Sequence, residues 1–350
     1  MLLITSPRFE EHVTPPGHPE RMERAHVFDA VAARWRELQV PGSGFGVPGS
    51  QQGGTVASPR AATREELLRV HTAAHVDTIA ATAGRAAMLD ADTFTSPESY
   101  EIALLAAGAA VQAAEHAISH REPAFALVRP PGHHAERDRP MGFCLFNNIA
   151  VAAAHAIARG LDRVAVIDID VHHGNGTQWM FYDDPRVLYV STHQFPFYPG
   201  TGAADEAGTG AGAGFTLNVP LEAGATDADY DLVYREAVLP VTRQFAPQLV
   251  LVSAGFDAHE RDPLASMRVT VSGYGNIIRQ LMSVAPEGAI AFVTEGGYDL
   301  PALASCLDEA FAAITSPPAH IPESARTAAP RGERALEAVR TAQRHYWSAL

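Results

Sequence analysis

Three residues with metal-binding side chains alternate along one short stretch of the sequence. Asp168, Asp170 and His172 lie two positions apart in IDIDVHHGNG, so their side chains share one face if the backbone is extended. Two carboxylates beside an imidazole repel each other at neutral pH unless a cation neutralises them. Asp170 and His172 would supply one oxygen and one nitrogen ligand, and Asp257 in SAGFD could complete a three-ligand zinc site with an open position. The alternative is an acidic strand end that caps helix N–H groups.

Two adjacent histidines follow a Pro-Pro-Gly turn in RPPGHHA. Neighbouring side chains of an extended segment point in opposite directions, so His133 and His134 are poorly placed to bind one metal ion together. They are better suited to general acid–base catalysis beside a metal-activated water. Asp168 and Asn175 are candidate partners for their rings, and a carboxylate behind one ring and an amide behind the other would push the two pKa values apart. The alternative is a solvated pair in a loop.

Three aromatic residues lie in loops rich in glycine and proline. Tyr298, in GGYDL, could donate a hydrogen bond to a developing oxyanion, although a loop aromatic more often only packs against its neighbours. Phe143 and Tyr198 could form the walls of a narrow apolar slot, although burial in the core is the usual fate of such residues. The segment GTGAGAG (208–214) resembles a dinucleotide loop, but a strand follows it and no helix does, so we discount it.

Five short apolar segments are the strand candidates that would position these side chains. Their nearly continuous apolar character is typical of parallel strands buried on both faces. Helical patterns lie between them, at 96–118 with Ser96 as the predicted cap, at 147–160, and at 226–245 with a capping box. This alternation predicts an α/β fold in which helices cover both faces of a parallel sheet. The five candidates are AFALV (124–128), VAVIDID (164–170), VLYVST (187–192), QLVLVSA (248–254) and AIAFVTE (289–295).

Nearly every unusual polar residue lies at or after the carboxyl end of one of these segments, where open parallel sheets bind their ligands. We therefore expect one cleft at that edge. No repeat or clean domain boundary is visible, so we predict a single domain over 1–350. Within it, 41–55 should form one long surface loop, and 316–334 should be a proline-rich connection to a C-terminal helix at about 333–350.

The composition narrows the classes of protein that this sequence can encode. Apolar residues make up 47% of 350 residues, enough for a sizeable core, and the net charge of −14 argues against a protein that grips nucleic-acid phosphates. Only two cysteines occur, which suits a reducing compartment. The N-terminus shows no signal-peptide pattern and no apolar stretch approaches ~20 residues. We expect a cytoplasmic protein that does not enter membranes.

Six motifs, in this order, resemble the histone deacetylase superfamily: RPPGHHA, GFCLFNN, DIDVHHGNGTQ, FYPGTG, SAGFDAHERDPL and EGGYDL. That superfamily includes bacterial histone deacetylase-like amidohydrolases and acetylpolyamine amidohydrolases. The resemblance runs from HPERMER (18–24) to QRHYWSAL (343–350), and the Asn of HHGNG and the EGGY sequence are more similar to class II members. It implies a three-layer α/β/α arginase-like fold with a central, mostly parallel eight-stranded sheet.

The resemblance also implies a reaction and the residues that carry it. The reaction would be zinc-dependent removal of acetyl or other acyl groups from the ε-amine of lysine. Asp170, His172 and Asp257 would hold one catalytic zinc ion. His134 would be the general base and acid and His133 mainly an electrostatic partner, with Asp168 and Asn175 supporting them. Tyr298 would polarise the acyl carbonyl and stabilise the oxyanion.

Further residues are implied in binding substrate and potassium. Phe143 and Tyr198 would flank an acyl-lysine tunnel, and Tyr198 departs from the phenylalanine usual in the family. One potassium site would use Asp168, Ser191 and carbonyls of Asp170, His172 and Thr192, and a second would use carbonyls near Phe181, Asp184, Val187 and Phe215. The remaining substrate-binding candidates are Gly142 along the tunnel, Asp92 on the rim, Leu264 at the mouth, Gly297 beside the tyrosine, and Arg21 near an internal cavity.

Two other functions compete with acyl-lysine hydrolysis. Acetylpolyamine deacetylases tend to carry an acidic gatekeeper at the mouth, and Leu264 at the matching position favours acyl-lysine peptides. A non-catalytic zinc or acyl-lysine binding module should have lost a ligand, the histidine pair or the tyrosine, and all are present. The acyl-chain preference, a possible homo-oligomer, and the choice between zinc, iron(II) and cobalt(II) stay open.

Overall fold

Ten strands are present in the described residues, and eight of them form one sheet. The computed structural model describes residues 1–37, 55–315 and 328–350. The sheet has the order β2-β1-β5-β10-β9-β6-β7-β8 with every neighbouring pair parallel, while β3 and β4 form a separate antiparallel hairpin. In chain order the strands are β1 (Leu2–Ile4), β2 (Thr55–Ala57), β3 (Ala87–Met88), β4 (Phe94–Thr95), β5 (Ala124–Ala126), β6 (Val164–Asp168), β7 (Val187–Gln194), β8 (Thr216–Leu221), β9 (Leu249–Ala254) and β10 (Ile290–Thr294).

The predicted α/β architecture with an eight-stranded sheet is confirmed, and the sheet is entirely rather than mostly parallel. All five predicted strands belong to it, together with the strand that follows the glycine-rich loop. The strands β1 and β2 were not predicted, because three residues are too few to show a period. The apolar run at the N-terminus is β1, and it lies between β2 and β5.

Helices cover both faces of the sheet. The helices α4 and α5 pack on one face, while α1, α9 and α10 pack on the other. In chain order the helices are α1 (Glu23–Glu37), α2 (Arg64–Leu67), α3 (Ala73–Ala80), α4 (Ser99–His120), α5 (Asn148–Ala158), α6 (Asn175–Phe181), α7 (Asp227–Val233), α8 (Leu239–Phe245), α9 (Val271–Met282), α10 (Leu300–Thr315) and α11 (Pro330–Gln343).

Alternate residues of each central strand face the two helix layers. On β6, Val164 and Val166 belong to the apolar cluster that contains α4 and α5, whereas Ala165 and Ile167 belong to the cluster that contains α9 and α10. Every residue of β6 is buried. Because both faces are apolar, polar side chains are concentrated at the strand ends, and Asp168 is the last residue of β6.

The predicted helices are present, with different boundaries. The helix predicted to begin at Ser96 begins at Ser99, whose hydroxyl accepts the Ser96 N–H at 2.7 Å. The helix predicted at 147–160 is α5, and Asn147 caps it, since its side chain accepts the Ala150 N–H at 3.0 Å. The segment 226–245 contains α7 and α8 joined by a turn of π-helix at Tyr234–Val238. Pro240 lacks a backbone N–H, so the regular hydrogen-bond ladder is interrupted there.

One helix is more apolar than the sequence analysis allowed. By length and composition alone, α4 could cross a membrane, because its 22 residues include a window with a mean hydropathy of 1.3. That corrects the expectation that no apolar stretch was long enough. Of the same window, 61% is buried inside the protein, and α4 packs against α5, β5 and β10. The alanine-rich surface of α4 therefore packs in the protein core.

Two predicted connections lie mainly outside the described residues. The surface loop predicted at 41–55 falls there except for Thr55, which begins β2. Residues 316–327 of the proline-rich connection also fall there. The C-terminal helix predicted at about 333–350 is α11, which begins earlier, at Pro330, and ends at Gln343. Beyond it, the Trp347 indole donates to the Gly214 carbonyl at 2.8 Å and so attaches the C-terminus to the segment before β8.

Gly108 tests how tightly α4 packs. A Cβ at this position would overlap the Arg60 carbonyl oxygen and lie 2.7 Å from the Ala62 nitrogen. Backbone cannot move aside as a side chain can, so Gly108→Ala should destabilise the protein by about 1–3 kcal/mol, measured as a lower Tm. The control is Gly275→Ala in α9, where the three atoms nearest to a Cβ all belong to the side chain of Glu309. Equal Tm values for the two variants would contradict this account of the packing.

Candidate active site

Side chains from several strand ends line one cavity of about 200 Å³. The cavity lies at the carboxyl edge of the sheet, where the sequence analysis expected a cleft. Loops after β5, β6, β7, β9 and β10 all contribute to it, and the tip of the β3–β4 hairpin forms part of its rim. The lining residues are Asp92, Pro131, His133, His134, Gly142, Phe143, His172, Phe197, Tyr198, Leu264 and Tyr298.

The three predicted metal ligands lie together. Asp170 and His172 follow β6 and Asp257 follows β9, and one ligand atom from each lies within 4.8 Å of the others. His172 Nδ1 is 3.2 Å from Asp170 Oδ1 and 3.1 Å from Asp257 Oδ2. The backbone fixes both carboxylates, because Asp257 accepts the Val171 N–H at 2.9 Å and Asp170 accepts the Gly296 N–H at 2.8 Å. All three residues are buried.

This cluster fits a divalent metal ion. Burial alone lowers the pKa of His172, but its hydrogen bonds to Asp170 and Asp257 raise that pKa to about 10, so the two carboxylates favour a positive charge between them. One nitrogen and two oxygen donors suit a transition-metal ion such as zinc. Two glycines leave the necessary room, because a Cβ at Gly255 would overlap Asp170 and one at Gly296 would overlap Asp257.

The two histidines have different partners. His133 Nδ1 lies 3.0 Å from Asp168 Oδ2, and His134 Nδ1 lies 2.8 Å from Asn175 Oδ1. Burial lowers the pKa of His133, but the carboxylates of Asp168 and Asp170 outweigh it and raise that pKa well above its usual value. Burial and the neighbouring rings of His133 and His172 hold the pKa of His134 well below its usual value. The structure thus contains the predicted carboxylate behind one ring and amide behind the other.

Gly142 and Phe143, later in the loop after β5, both have a positive φ. A Cβ at Gly142 would lie 2.5 Å from Cδ2 of the His134 ring, so only glycine leaves room there. Phe143 adopts a positive φ of 70°, and its N–H donates to Thr93 Oγ1 at 3.1 Å. Strain of this kind persists only where the surroundings hold the backbone. Its ring is thereby placed against Tyr298, with the ring centroids 5.8 Å apart.

Tyr298 is held from both sides. Its N–H donates to Asp262 Oδ2 at 2.7 Å, and the same carboxylate accepts the Leu264 N–H at 3.0 Å through Oδ1. The Arg24 guanidinium lies 5.0 Å from the centre of the tyrosine ring, and it donates to the Gly297 carbonyl at 2.9 Å. Burial raises the pKa of Tyr298 well above its usual value, so the hydroxyl keeps its proton.

Arg21, predicted near an internal cavity, is exposed and lines a surface groove that shares Leu264 and Tyr298 with the cavity described above. The structure therefore does not place Arg21 inside the protein. Arg24 is fully buried and contacts Glu20 at 3.1 Å, the Glu295 carbonyl and the Gly297 carbonyl. Arg24 lies one helical turn before the buried Phe28, which is the signal that could have identified it.

The slot has three aromatic walls rather than two. Phe143 and Tyr198 both line the cavity, and Tyr198 stands edge-on to His134 at 5.2 Å while remaining 39% exposed. Phe197, which the sequence analysis did not single out, also lines it and stacks on His172 at 5.5 Å. Asp92 and Leu264 lie among the lining residues as well.

The residues proposed for potassium form two groups. Near the ends of β6 and β7, the Ser191 hydroxyl lies 2.9 Å from His193 Nδ1 and the Thr192 hydroxyl donates to the Asp168 carbonyl at 3.4 Å. In the second group, the carbonyls of Phe181, Asp184 and Phe215 accept the N–H groups of Asp184, Val187 and Tyr189. Cation binding at either place stays a prediction.

Two buried carboxylates at the site were missed by the sequence analysis. Asp262 holds the tyrosine loop, and Glu295 accepts the N–H groups of Gly132 and His133. Burial raises the pKa of each to about 7. Both residues were visible in quoted motifs, HERDPL and EGGYDL, but nothing in those letters indicates that the carboxylates point inward.

Comparisons with known proteins agree over most of the chain. Residues 18–314 match the family described as the histone deacetylase domain. A probable deacetylase from Archaeoglobus fulgidus is 38% identical over 303 residues, which cover 85% of this chain and 81% of that protein. Histone deacetylase HDA1 of Saccharomyces cerevisiae is 39% identical, and the match covers 83% of this chain but 43% of the yeast protein. The crystal structure of the HDA15 HD domain superposes with a TM-score of 0.89 at 35% identity, covering 99% of this chain and 96% of that one.

The metal cluster can be tested with two buried carboxylates. Asp257→Asn removes a charge from the cluster, so retained zinc after dialysis should fall from about one ion per chain to a small fraction. The control is Asp262→Asn, which removes a nearby buried carboxylate that is not part of the cluster and should leave zinc content unchanged. Elemental analysis measures both. Full zinc retention in the Asp257 variant would contradict the assignment.

Proposed function

Because this chain belongs to the histone deacetylase family, we propose that it hydrolyses the amide bond of ε-N-acyl-lysine in peptides or proteins, using a zinc ion held by Asp170, His172 and Asp257. The main support is one cavity that is lined by His172 of this cluster, by two histidines with different partners, and by a buried tyrosine. Water and the amide would yield a carboxylic acid and the free lysine amine.

Zinc, when bound, would polarise the acyl carbonyl and make a water molecule more acidic. His134 is the residue to accept the proton of that water. The Asn175 amide nitrogen donates to Glu136 at 2.8 Å, so the Asn175 amide oxygen faces His134 Nδ1. Because an amide oxygen only accepts hydrogen bonds, His134 Nδ1 carries the ring proton. Nε2 of the neutral ring is then free to take a proton. The low pKa of His134 keeps it in this form before the reaction.

His133 would contribute charge rather than proton transfer. Its ring lies between Asp168 and Asp170, at 3.0 and 3.8 Å, and these carboxylates keep it protonated. A fixed positive charge next to His134, with the ring centroids 4.0 Å apart, makes the proton gained by His134 easier to pass on. That proton goes to the nitrogen of the departing lysine, which leaves as an amine.

Tyr298 would stabilise the negative charge that develops on the acyl oxygen. Its protonated hydroxyl is a hydrogen-bond donor on a side chain that is only 7% exposed, and such a bond acts most strongly where water is excluded. The aromatic slot of Phe143, Phe197 and Tyr198 suits the uncharged methylene chain of an acylated lysine. A free ammonium would lose its hydration there, so the slot favours the acylated over the free side chain.

We also propose potassium at the two groups named above, by family resemblance. Asp168 and Ser191 are both fully buried, so a cation beside them would act from within the core on the loop that carries Asp170 and His172.

Tyr298→Phe and His134→Ala should separate catalysis from metal binding. Losing the oxyanion donor should lower kcat by about 10²–10³-fold, and losing the base should lower it by about 10²–10⁴-fold. Neither residue is in the metal cluster, so zinc content should match the unaltered enzyme. Turnover is measured on a fluorogenic acetyl-lysine peptide with defined metal loading. Near-normal kcat in either metal-loaded variant would refute the assigned role.

Leu264 distinguishes peptide substrates from polyamines. It lines the cavity and carries no charge, so the unaltered enzyme should prefer an acetyl-lysine peptide over acetylputrescine in kcat/KM. A carboxylate at the mouth could pair with the distant ammonium of acetylputrescine, and Leu264→Glu should improve its kcat/KM by about two- to fivefold. Leu264→Gln is the uncharged control. A preference of the unaltered enzyme for acetylputrescine would support the polyamine alternative instead.

A further inference from the structure

Glu295 is a buried carboxylate in the middle of the sheet edge. It directly follows β10, which lies between β5 and β9, and its exposed fraction is 0%. Its carboxylate has three partners: Oε2 accepts the N–H groups of Gly132 at 2.6 Å and His133 at 3.2 Å, and Oε1 accepts the Ser253 hydroxyl at 3.1 Å. Within the described parts of the chain, no Lys or Arg side chain contacts this carboxylate. Its environment therefore consists of backbone N–H groups, a hydroxyl and the nearby His133 ring.

The loop that Glu295 contacts is the one that carries the histidine pair. The N–H groups of two successive residues point at a single oxygen, and the His133 carbonyl accepts the Thr177 N–H at 3.2 Å on the other side. The turn is tight, because a Cβ at Gly132 would lie 2.5 Å from the Asn148 nitrogen at the start of α5. The backbone of His133 is thus held through both its N–H and its carbonyl.

We infer that Glu295 is a positioning residue for the histidine pair, acting through the backbone of Gly132 and His133. Without this acceptor, the two N–H groups would be buried and unsatisfied, and the loop would shift to find other partners. A shift of the loop would move His133 away from Asp168 and His134 away from Asn175. Displacements on the order of 1 Å at a catalytic group can lower the rate about 10²-fold.

Burial of a carboxylate that has no cation in direct hydrogen-bond contact is unfavourable, and burial raises the pKa of Glu295 to about 7 although the nearby His133 ring lowers it. A residue that only filled space at this point would be apolar, as the first four residues of β10 are. A carboxylate is present because it accepts hydrogen bonds here. One oxygen accepts the N–H groups of Gly132 and His133, and the other accepts the Ser253 hydroxyl. An amide of the same shape would supply an oxygen to the loop and an N–H to Ser253.

Two variants of nearly equal volume test the inference, which rests on the proposed function for its kinetic part. Glu295→Gln keeps an acceptor for the loop, whereas Glu295→Met removes it without leaving a large cavity. We expect the Met variant to lose about 10²-fold in kcat with little change in KM, and the Gln variant to keep at least about a tenth of kcat. Ser253→Ala, which removes only the third partner, should stay within about threefold of the unaltered enzyme. A Gln variant as poor as Met would overturn the inference.

A double-variant cycle asks whether Glu295 acts through the histidines. In a His134→Ala background, Glu295→Met should cause little further loss of kcat, because residues that act as a unit are not additive. If the two losses multiply, Glu295 acts elsewhere and the inference fails. If the Met variant does not fold, the Gln variant decides alone, and a loss above about tenfold would overturn the proposal.

A measurement without turnover separates this inference from the proposed function. Side-chain ¹H–¹⁵N spectra of the zinc-loaded protein report the tautomer and environment of His133 and His134. The Met variant should shift these signals, while the Gln and Ser253→Ala variants should leave them close to those of the unaltered protein. Unshifted histidine signals in the Met variant would overturn the inference, whatever the enzyme hydrolyses. Absence of acyl-lysine turnover in the unaltered enzyme would instead refute the proposed function.

Discussion

The repulsion among buried carboxylates is the constraint on which the site depends. Asp168, Asp170, Asp257 and Glu295 are all fully or almost fully buried at one edge of the sheet. Parallel strands bring them together, because their carboxyl ends all lie at that edge. Each is offset by positive groups nearby: the rings of His133 and His172, and the backbone N–H groups that the loops direct inward. The same charge balance provides a position for a divalent ion and separates the pKa values of the two histidines.

Much of the fold could be predicted because its central strands are apolar on both faces. That pattern is long and continuous in β6, β7, β9 and β10, whereas β1 and β2 have three residues each and no period to recognise. The metal cluster was predictable for a related reason, since alternating Asp170 and His172 share a face at a strand end. The start of α4 was misplaced by three residues, because the Ser96 hydroxyl donates to the Glu11 carbonyl and does not cap the helix.

The direction in which each side chain points could not be predicted from the motifs alone. Arg21 and Arg24 lie in one motif, and only the helical period, with Phe28 four residues after Arg24, indicates which of them is buried. Phe197 and Tyr198 are neighbours, and the loop after β7 places both rings at the slot. Glu295 follows an apolar strand, at a position where an acidic residue is usually solvated, and only the fold shows that the Gly132 and His133 N–H groups converge on it.

The hydrogen bonds between Glu295 and the loop after β5 also connect the two loops that line the site. Glu295 and Tyr298 lie three residues apart in the same loop. Arg24 donates to the carbonyls of Glu295 and Gly297 in that loop. The loop that carries the histidine pair and the loop that carries Tyr298 are therefore linked by hydrogen bonds before any ligand binds. Loops fixed in advance need little further ordering, so less conformational entropy would be lost when the slot is filled. Conversely, a substitution that moves either loop should displace both the histidine pair and Tyr298.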